Sequence, residues 1–161
     1  MINSFFSRNI CIIKAPVTGT LIPLEKVPDE AFSKKMLGDG IAIQAEDGLV
    51  VSPVKGRVIH IFPTNHAVGI LSCEGLEILI HLGIDTVELK GIGFTRLIQP
   101  EAPVEPGTPL IRMDLDIIKS NHRSLISPII ITNGEKVREL HQMSGCVKAA
   151  QDNILKVQYK K

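Results

Sequence analysis

Two of the five histidines stand where predicted strands would bring their side chains together. His66 opens the apolar segment 66–70, and His81 ends the apolar segment 76–81. Because only residues 71–75 separate them, the two segments most simply form a hairpin. An imidazole is nucleophilic at neutral pH without a general base, which suits covalent group transfer. The spacing alone fits a nucleophile as well as a hydrogen-bonded structural histidine.

The strand that ends at His81 is predicted to have one apolar face and one mixed face. Side chains alternate between the two faces of a strand, so His81 shares a face with Leu79 and Glu77. The opposite face, which we expect to point into the core, carries Ile78, Ile80 and Leu82. His81 is therefore predicted on the outer face, beside an apolar Leu79 that the core does not need.

The elements that must position these histidines are typical of an all-β protein. Short apolar runs rich in Val and Ile are interrupted repeatedly by Gly or Pro, which predicts strands. The clearest runs are residues 50–51, 57–62, 67–72, 76–82 and 129–132. Helix is predicted only as single turns at residues 29–35 and 114–120. A chain of 161 residues is long enough for one well-buried core, so we predict a single domain, residues 1–161, folded as an antiparallel β-sandwich or flattened barrel.

A weak internal repeat supports the sandwich. Residues 15–20 (APVTGT) resemble residues 52–57 (SPVKGR), and residues 144–147 (SGCV) form a looser third copy. Proline followed, after two residues, by glycine suits a turn that carries the chain from one sheet to the other. Glycine can adopt a φ there that other residues resist. The tail, residues 151–161, is predicted to close the sheet as an edge strand protected by lysines.

The charge balance argues against a nucleic acid or an anionic membrane as the main partner. Lys and Arg number 18 against 17 Asp and Glu, so the net charge is +1 and creates no strong field.

The three cysteines Cys11, Cys73 and Cys146 lack a Cys-x-x-Cys spacing and are interpreted as reduced thiols. Near Phe5 and Phe6 no apolar run reaches the length of a signal sequence or a membrane span. A cytoplasmic protein is expected.

The segments around the two histidines resemble a known family. Residues 80–91 (IHLGIDTVELKG) closely resemble the active-site segment of the glucose-type enzyme IIA family of the bacterial sugar phosphotransferase system. Residues 62–67 (FPTNHA) are similar to the segment that carries the second active-site histidine of that family. Further matches extend the resemblance over about residues 15–133 and lie at residues 27–29, Phe32, residues 38–43 and residues 106–107.

The resemblance implies a phosphoryl carrier with two facing histidines in a shallow apolar depression. In the family, the counterpart of His81 is phosphorylated by the histidine-containing phosphocarrier protein and passes the group to a cysteine of a IIB domain of a membrane permease. His66 is the natural hydrogen-bond donor to the phosphoryl oxygens. Thr64, like its family counterpart, is expected to set the tautomer of the His66 ring. No cofactor and no metal are required.

The loop that follows His81 is expected to help bind the phosphoryl group. Gly83 lets the backbone turn sharply after the strand. We expect backbone amides at Gly83, Ile84 and Asp85 to face the phosphoryl oxygens as a small anion-binding nest.

The resemblance also implies a partner-binding surface with an apolar rim and two carboxylates. Its predicted members are Asp29, Phe32, Met36, Leu37, Phe62, Val68, Leu79, Asp85 and Val87. Such a surface suits a partner that presents apolar side chains and arginines. The chain departs from the common family pattern, in which phenylalanine occupies the positions of Val68, Leu79 and Leu82.

Other uses of the same residues stay open at this point. His66 and His81 supply only two zinc ligands, so a zinc site would need a ligand from a partner. A regulatory module that binds permeases or kinases according to its phosphorylation state would carry the same two histidines. A biotinyl-like or lipoyl-like carrier would share the repeat, but the lysine motif of such carriers is missing. The remaining histidines match no motif and are interpreted as surface or structural residues; they are His60, His122 and His141.

Overall fold

Strands dominate the part of the chain that the structure, a computed structural model, describes, which is residues 9–161. Residues 1–8, which include Phe5 and Phe6 and the start of the predicted domain, lie outside the described residues. The strands are β1 Ile10–Lys14, β2 Gly19–Ile22, β3 Asp39–Ala45, β4 Leu49–Val51, β5 Gly56–Ile61, β6 Ala67–Ser72, β7 Glu77–His81, β8 Phe94–Arg96, β9 Pro103–Val104, β10 Pro109–Met113, β11 Ile126–Ile131, β12 Val137–Gln142, β13 Cys146–Val147 and β14 Asn153–Tyr159. The helices are α1 Glu30–Ser33 and α2 Leu115–Ser120, with 3-10 turns at Leu24–Lys26, Thr86–Leu89 and Gly134–Lys136.

The strands of residues 9–161 form three sheets, and every recorded pairing between them is antiparallel. The large sheet has eight strands in the order β13-β2-β3-β11-β7-β6-β5-β9. Two three-stranded sheets have the orders β1-β14-β12 and β4-β10-β8. One hydrophobic cluster draws buried side chains from all three sheets, for example Ile13, Val50 and Ile78. The predicted all-β antiparallel fold is confirmed.

Both predicted helical turns are present, and each begins at an aspartate cap. The carboxylate of Asp29 accepts a hydrogen bond from the amide of Ala31 at 2.8 Å, at the start of α1. The carboxylate of Asp114 accepts one from the amide of Ile117 at 3.1 Å, at the start of α2. A side-chain acceptor at this position satisfies an amide that has no partner within the helix. Asp29 therefore has a structural role in addition to any role in binding.

The three repeat copies do carry the chain from a small sheet into the large one. They connect β1 to β2, β4 to β5, and β12 to β13. The predicted reason for glycine was wrong at two copies, because neither Gly19 nor Gly56 has a positive φ. A Cβ atom at these positions would collide with the carbonyl oxygens of Gln44 and Leu71 on the neighbouring strands. Glycine is required there by close approach of the backbones, and only Gly145 in the third copy has a positive φ.

The C-terminal tail is not an edge strand, contrary to the prediction. It forms β14, which lies between β1 and β12 in the centre of its sheet. Ile154, Leu155 and Val157 are completely buried. Whether a strand is central depends on which strands flank it, and the lysines of the tail carry no information about that. The alternation of apolar residues and lysines reports only which face is exposed.

A second, smaller apolar cluster lies on the other side of the large sheet. Its buried members are Leu24, Val27, Phe32, Ala42, Ile84 and Ile130. Leu79 packs against this cluster, whereas Ile78 and Ile80 of the same strand belong to the main core. The predicted core face of β7 is confirmed. The prediction that the core does not need Leu79 is wrong, because Leu79 packs against the second cluster. The outer face of β7 has a small core of its own, and His81 ends the strand beside it.

Candidate functional site

The hairpin of β6 and β7 brings His66 and His81 together as predicted. Ala67 pairs with His81 in the register of the hairpin, so His66 lies one residue before the end of the ladder. The amide of Leu82 donates to the carbonyl oxygen of His66 at 2.7 Å and extends the pairing. The two imidazole centroids are 5.0 Å apart, with the ring planes inclined at 79°. At this distance one group bound between the rings would contact both.

The ring of His81 is held through its Nδ1 nitrogen. This atom lies 2.8 Å from the carbonyl oxygen of Gly83, which has only lone pairs to offer, so Nδ1 carries the proton and donates it. Burial lowers the pKa of His81, while the Gly83 carbonyl, Asp29 and Asp85 oppose that shift. The ring is therefore neutral at pH 7, and its Nε2 lone pair is available as a nucleophile.

The ring of His66 is also held through Nδ1, by a hydrogen bond with the hydroxyl of Thr64. His66 is only 4% exposed, and burial together with the neighbouring His81 lowers its pKa to about 4. A hydroxyl that donates to Nδ1 leaves the ring proton on Nε2. In that tautomer His66 is neutral and is a hydrogen-bond donor at the site.

The Nε2 atoms of both rings are open to solvent. Neither forms a hydrogen bond with any residue in the range 9–161. A buried side-chain nitrogen or oxygen without a partner occurs among those residues only at Glu74 Oε2 and Arg123 Nε. The two Nε2 atoms have no partner and are not in this buried set, so both are accessible. The site thus presents the Nε2 nitrogens of two histidine rings, and the Nε2 atom of His81 carries the free lone pair.

A continuous series of aromatic rings fixes the orientation of the two histidines. Phe32 packs on His81 with centroids 5.0 Å apart, and Phe62 packs edge-on against His66 at 5.4 Å. Phe32 is buried, which contradicts its predicted place on the partner surface, because its ring supports His81 from within the second cluster. His60, which matched no motif, lies 4.7 Å from Phe62 and ends the series.

The predicted anion-binding nest is contradicted at two of its three amides. The Gly83 amide donates to the hydroxyl of Ser127 at 3.1 Å, and the Ile84 amide donates to the carbonyl of Ser124 at 3.2 Å. Both amides are thus engaged within the protein. The Asp85 amide forms no hydrogen bond within residues 9–161, and its predicted role stays a prediction.

The predicted partner surface divides into exposed and buried members. Met36, Leu37 and Val87 are exposed, and Met36 is 70% accessible. Val68 is completely buried in the main core, so its place on this surface was wrong: it points to the core face of β6. The half-buried members are Asp29, Phe62 and Leu79, and Asp85 is exposed.

Two features of the site were missed at the sequence level. Ile92 is an exposed apolar residue, 64% accessible, and it follows Gly91, which lies against the backbone of Thr64. Ser127 is fully buried and holds the loop after His81. A sequence signal for Ser127 existed, because it is a polar residue inside the apolar run 125–131. Nothing in that run indicates what its hydroxyl contacts.

No group of three or more His, Cys, Asp or Glu residues within residues 9–161 is arranged to hold a metal ion. His66 and His81 alone supply two ligands, fewer than a zinc site uses. In the same part of the chain no helix is long and apolar enough to cross a membrane.

Comparison with known proteins assigns the family. Residues 11–137 match the family described as phosphoenolpyruvate-dependent sugar phosphotransferase system, EIIA 1. A glucose-specific EIIA component from Staphylococcus epidermidis is 47% identical over 129 residues, which are 80% of this chain and 78% of that protein. An N-acetylglucosamine-specific EIICBA component from Escherichia coli is 43% identical over 147 residues, which are 91% of this chain but only 22% of that protein.

A solved structure supports the same assignment. The glucose permease IIA from Mycoplasma capricolum superposes with a TM-score of 0.84 at 37% identity, covering 92% of this chain and 96% of that one. The chain belongs to the EIIA 1 family of the phosphoenolpyruvate-dependent sugar phosphotransferase system. Within it, the comparisons place the chain with the glucose-type EIIA components. Its general role is phosphoryl transfer in sugar uptake, and the resemblance found in the sequence is confirmed.

Proposed function

We propose that this chain is a cytoplasmic phosphoryl carrier, a single IIA domain in which His81 carries the phosphoryl group on Nε2. The observation that supports this most directly is the pair of Nδ1 hydrogen bonds, His81 to Gly83 and His66 to Thr64. Both bonds occupy Nδ1 and leave Nε2 accessible, so the two rings present complementary functions: a nucleophile on His81 and a donor on His66.

In the first step His81 accepts the group from the phosphohistidine of the histidine-containing phosphocarrier protein. The Nε2 lone pair of His81 forms the new N–P bond, and the donor N–P bond breaks with its electron pair returning to the donor imidazole. The Nδ1 proton stays on His81 throughout, held by the Gly83 carbonyl. No proton has to be removed before attack, because the ring is already neutral.

In the second step the group moves to a cysteine of a IIB domain. The thiolate forms an S–P bond, and the N–P bond to His81 breaks with its electrons returning to Nε2. His66 donates its Nε2 proton in a hydrogen bond to a phosphoryl oxygen, where charge is spread in the transition state. The EIICBA relatives support this partner, since their name joins an A unit to B and C units in one chain.

The exposed apolar side chains around the histidines are proposed to receive both partners. Met36, Leu37 and Val87 supply the apolar contacts, and the carboxylate of Asp85 attracts a basic partner. Selectivity for a particular sugar is left to the membrane subunit.

Label transfer tests the proposal. With phosphoenolpyruvate, enzyme I and the carrier protein, the chain should acquire one acid-labile phosphoryl group and lose it on addition of a IIB domain. Failure of the wild-type chain to be labelled would contradict the proposed function.

A further inference from the structure

The loop between β7 and the following 3-10 turn has to place one carbonyl group accurately. Gly83 provides the carbonyl that holds Nδ1 of His81, and it has a φ of +76°. Glycine adopts many backbone conformations at low cost, so its own preferences do not fix where this carbonyl points. Its position must be set by the hydrogen bonds of the peptide groups on either side.

Three residues supply those hydrogen bonds: Ser124, Ser127, and Thr86, whose hydroxyl donates to the Leu82 carbonyl of the peptide group that carries the Gly83 amide. The amide of Ile84, in the same peptide group as the Gly83 carbonyl, donates to the Ser124 carbonyl at 3.2 Å. The Gly83 amide, in the preceding peptide group, donates to the Ser127 hydroxyl at 3.1 Å. Ser127 is fully buried in β11 and is itself held, because its hydroxyl donates to the Leu125 carbonyl at 3.1 Å.

These contacts form one continuous path from the sheet to the reacting ring. The Ser127 hydroxyl fixes the Gly83 amide, and the Gly83 carbonyl fixes the proton on Nδ1 of His81. A tautomer of histidine is set by the hydrogen bond that its other nitrogen makes. The Ser124 contact uses a main-chain oxygen that no substitution removes, whereas the Ser127 contact uses a side chain.

We propose that Ser127 is a positioning residue that keeps His81 in its Nδ1–H tautomer through the Gly83 backbone. Its role deepens the proposed function, because that tautomer is the one that leaves Nε2 free to accept a phosphoryl group. Ser127→Ala leaves the buried Gly83 amide without a partner, and the loop shifts to recover one. The His81 ring then loses its fixed acceptor and populates both tautomers.

Ser72 provides a matched control at the opposite end of the same hairpin. It is also a buried serine, and its hydroxyl also accepts a backbone amide, that of Leu76, at 3.1 Å. Ser72→Ala therefore removes the same kind of bond, at the same length, away from the histidines. A general loss of stability affects both variants, whereas a change in the His81 tautomer is expected only for Ser127→Ala.

The experiment combines nitrogen NMR of the histidine rings with the rate of phosphoryl acceptance from the phosphorylated carrier protein. In wild type and Ser72→Ala we expect His81 as the Nδ1–H tautomer and equal rates. In Ser127→Ala we expect a tautomer mixture at His81, an unchanged His66 signal, and a rate about tenfold lower, the scale of one lost positioning hydrogen bond.

If Ser127→Ala does not fold, Ser127→Cys, which keeps the volume but offers a weak acceptor, takes its place. A wild-type His81 spectrum in the folded variant would overturn the inference. The spectrum needs no partner, so a failure of the wild-type chain to be labelled would reject the proposed function without deciding this question.

Discussion

The Nδ1 atom of His81 lies 2.8 Å from the carbonyl oxygen of Gly83, two residues further along the chain. A carbonyl can only accept, so this contact places the proton on Nδ1 and leaves the lone pair on Nε2. The Thr64 hydroxyl holds the corresponding nitrogen of His66. The two histidines are therefore anchored in the same way, and when the Thr64 hydroxyl donates to Nδ1 they differ in chemistry, because His66 then keeps its proton on Nε2.

Replacement of His81 should abolish acceptance of the phosphoryl group. His81→Ala removes the only nucleophile that we assign, so no acid-labile label should appear after incubation with phosphoenolpyruvate, enzyme I and the carrier protein. His60→Ala is the control, because His60 belongs to the same aromatic series but is exposed and distant from the reacting nitrogen. Full labelling of His81→Ala would contradict the assignment.

Replacement of His66 should separate acceptance from donation. His66→Gln retains an amide donor but not the reach of the ring, so the variant should still be labelled. Transfer to the IIB cysteine should fall by about two orders of magnitude, as loss of a transition-state donor does in other enzymes. Single-turnover transfer from the labelled variant measures this step, and a wild-type rate would mean that His66 is structural.

Removal of the Thr64 hydroxyl should act through His66. Thr64→Val keeps the shape of the side chain but leaves Nδ1 of His66 without its partner, so the ring no longer keeps its proton on Nε2 alone. We expect onward transfer to fall by about tenfold, the scale of one lost hydrogen bond at a reacting centre. Thr64→Ser restores the hydroxyl and should restore most of the rate. Equal activity of the valine and serine variants would exclude the role.

The buried His66 should make folding stability depend on pH. Its pKa is about 4 in the folded chain, against about 6.5 when unfolded, so the unfolded state binds more protons between those values. The contribution of the neutral His66 ring to the free energy of unfolding is fully present above pH 6.5 and is lost as the pH falls towards 4. Between pH 7 and pH 5 the free energy of unfolding should fall by about 2 kcal/mol more in wild type than in His66→Gln. Denaturant titrations at both pH values measure the difference, and equal losses would show that His66 titrates normally.

The two carboxylates near the site should act on association. Asp29→Asn keeps the helix cap, since asparagine caps as well as aspartate, and Asp85→Asn suits the left-handed backbone of that residue, whose φ is 58°. The double variant should fold normally and be phosphorylated more slowly at low salt, chiefly through a lower association rate. Added salt should slow the wild type towards the variant. An unchanged rate at low salt would show that neither carboxylate steers the partner.

Much of the site was determined by local sequence. The alternation in residues 77–82 placed His81 opposite the core face, and the short connection after residue 72 required the hairpin that pairs Ala67 with His81. These features depend on the two-residue period of a strand and on the length of the connection, both of which are local properties of the sequence. The family resemblance rested on the same contiguous segments.

Tertiary structure decided what lies around the histidines. Phe32 and Val68 are buried, and the tail became the central strand β14, because burial and strand neighbours depend on which elements pack together. The sequence predicts free amides at Gly83 and Ile84, yet these amides donate to Ser127 and Ser124. Ser127 lies more than forty residues from Gly83 along the chain. The sequence does not indicate which acceptor a backbone amide will bind in the folded chain. Only the packing of β11 against β7 brings that acceptor to the loop and fixes which nitrogen of His81 stays free.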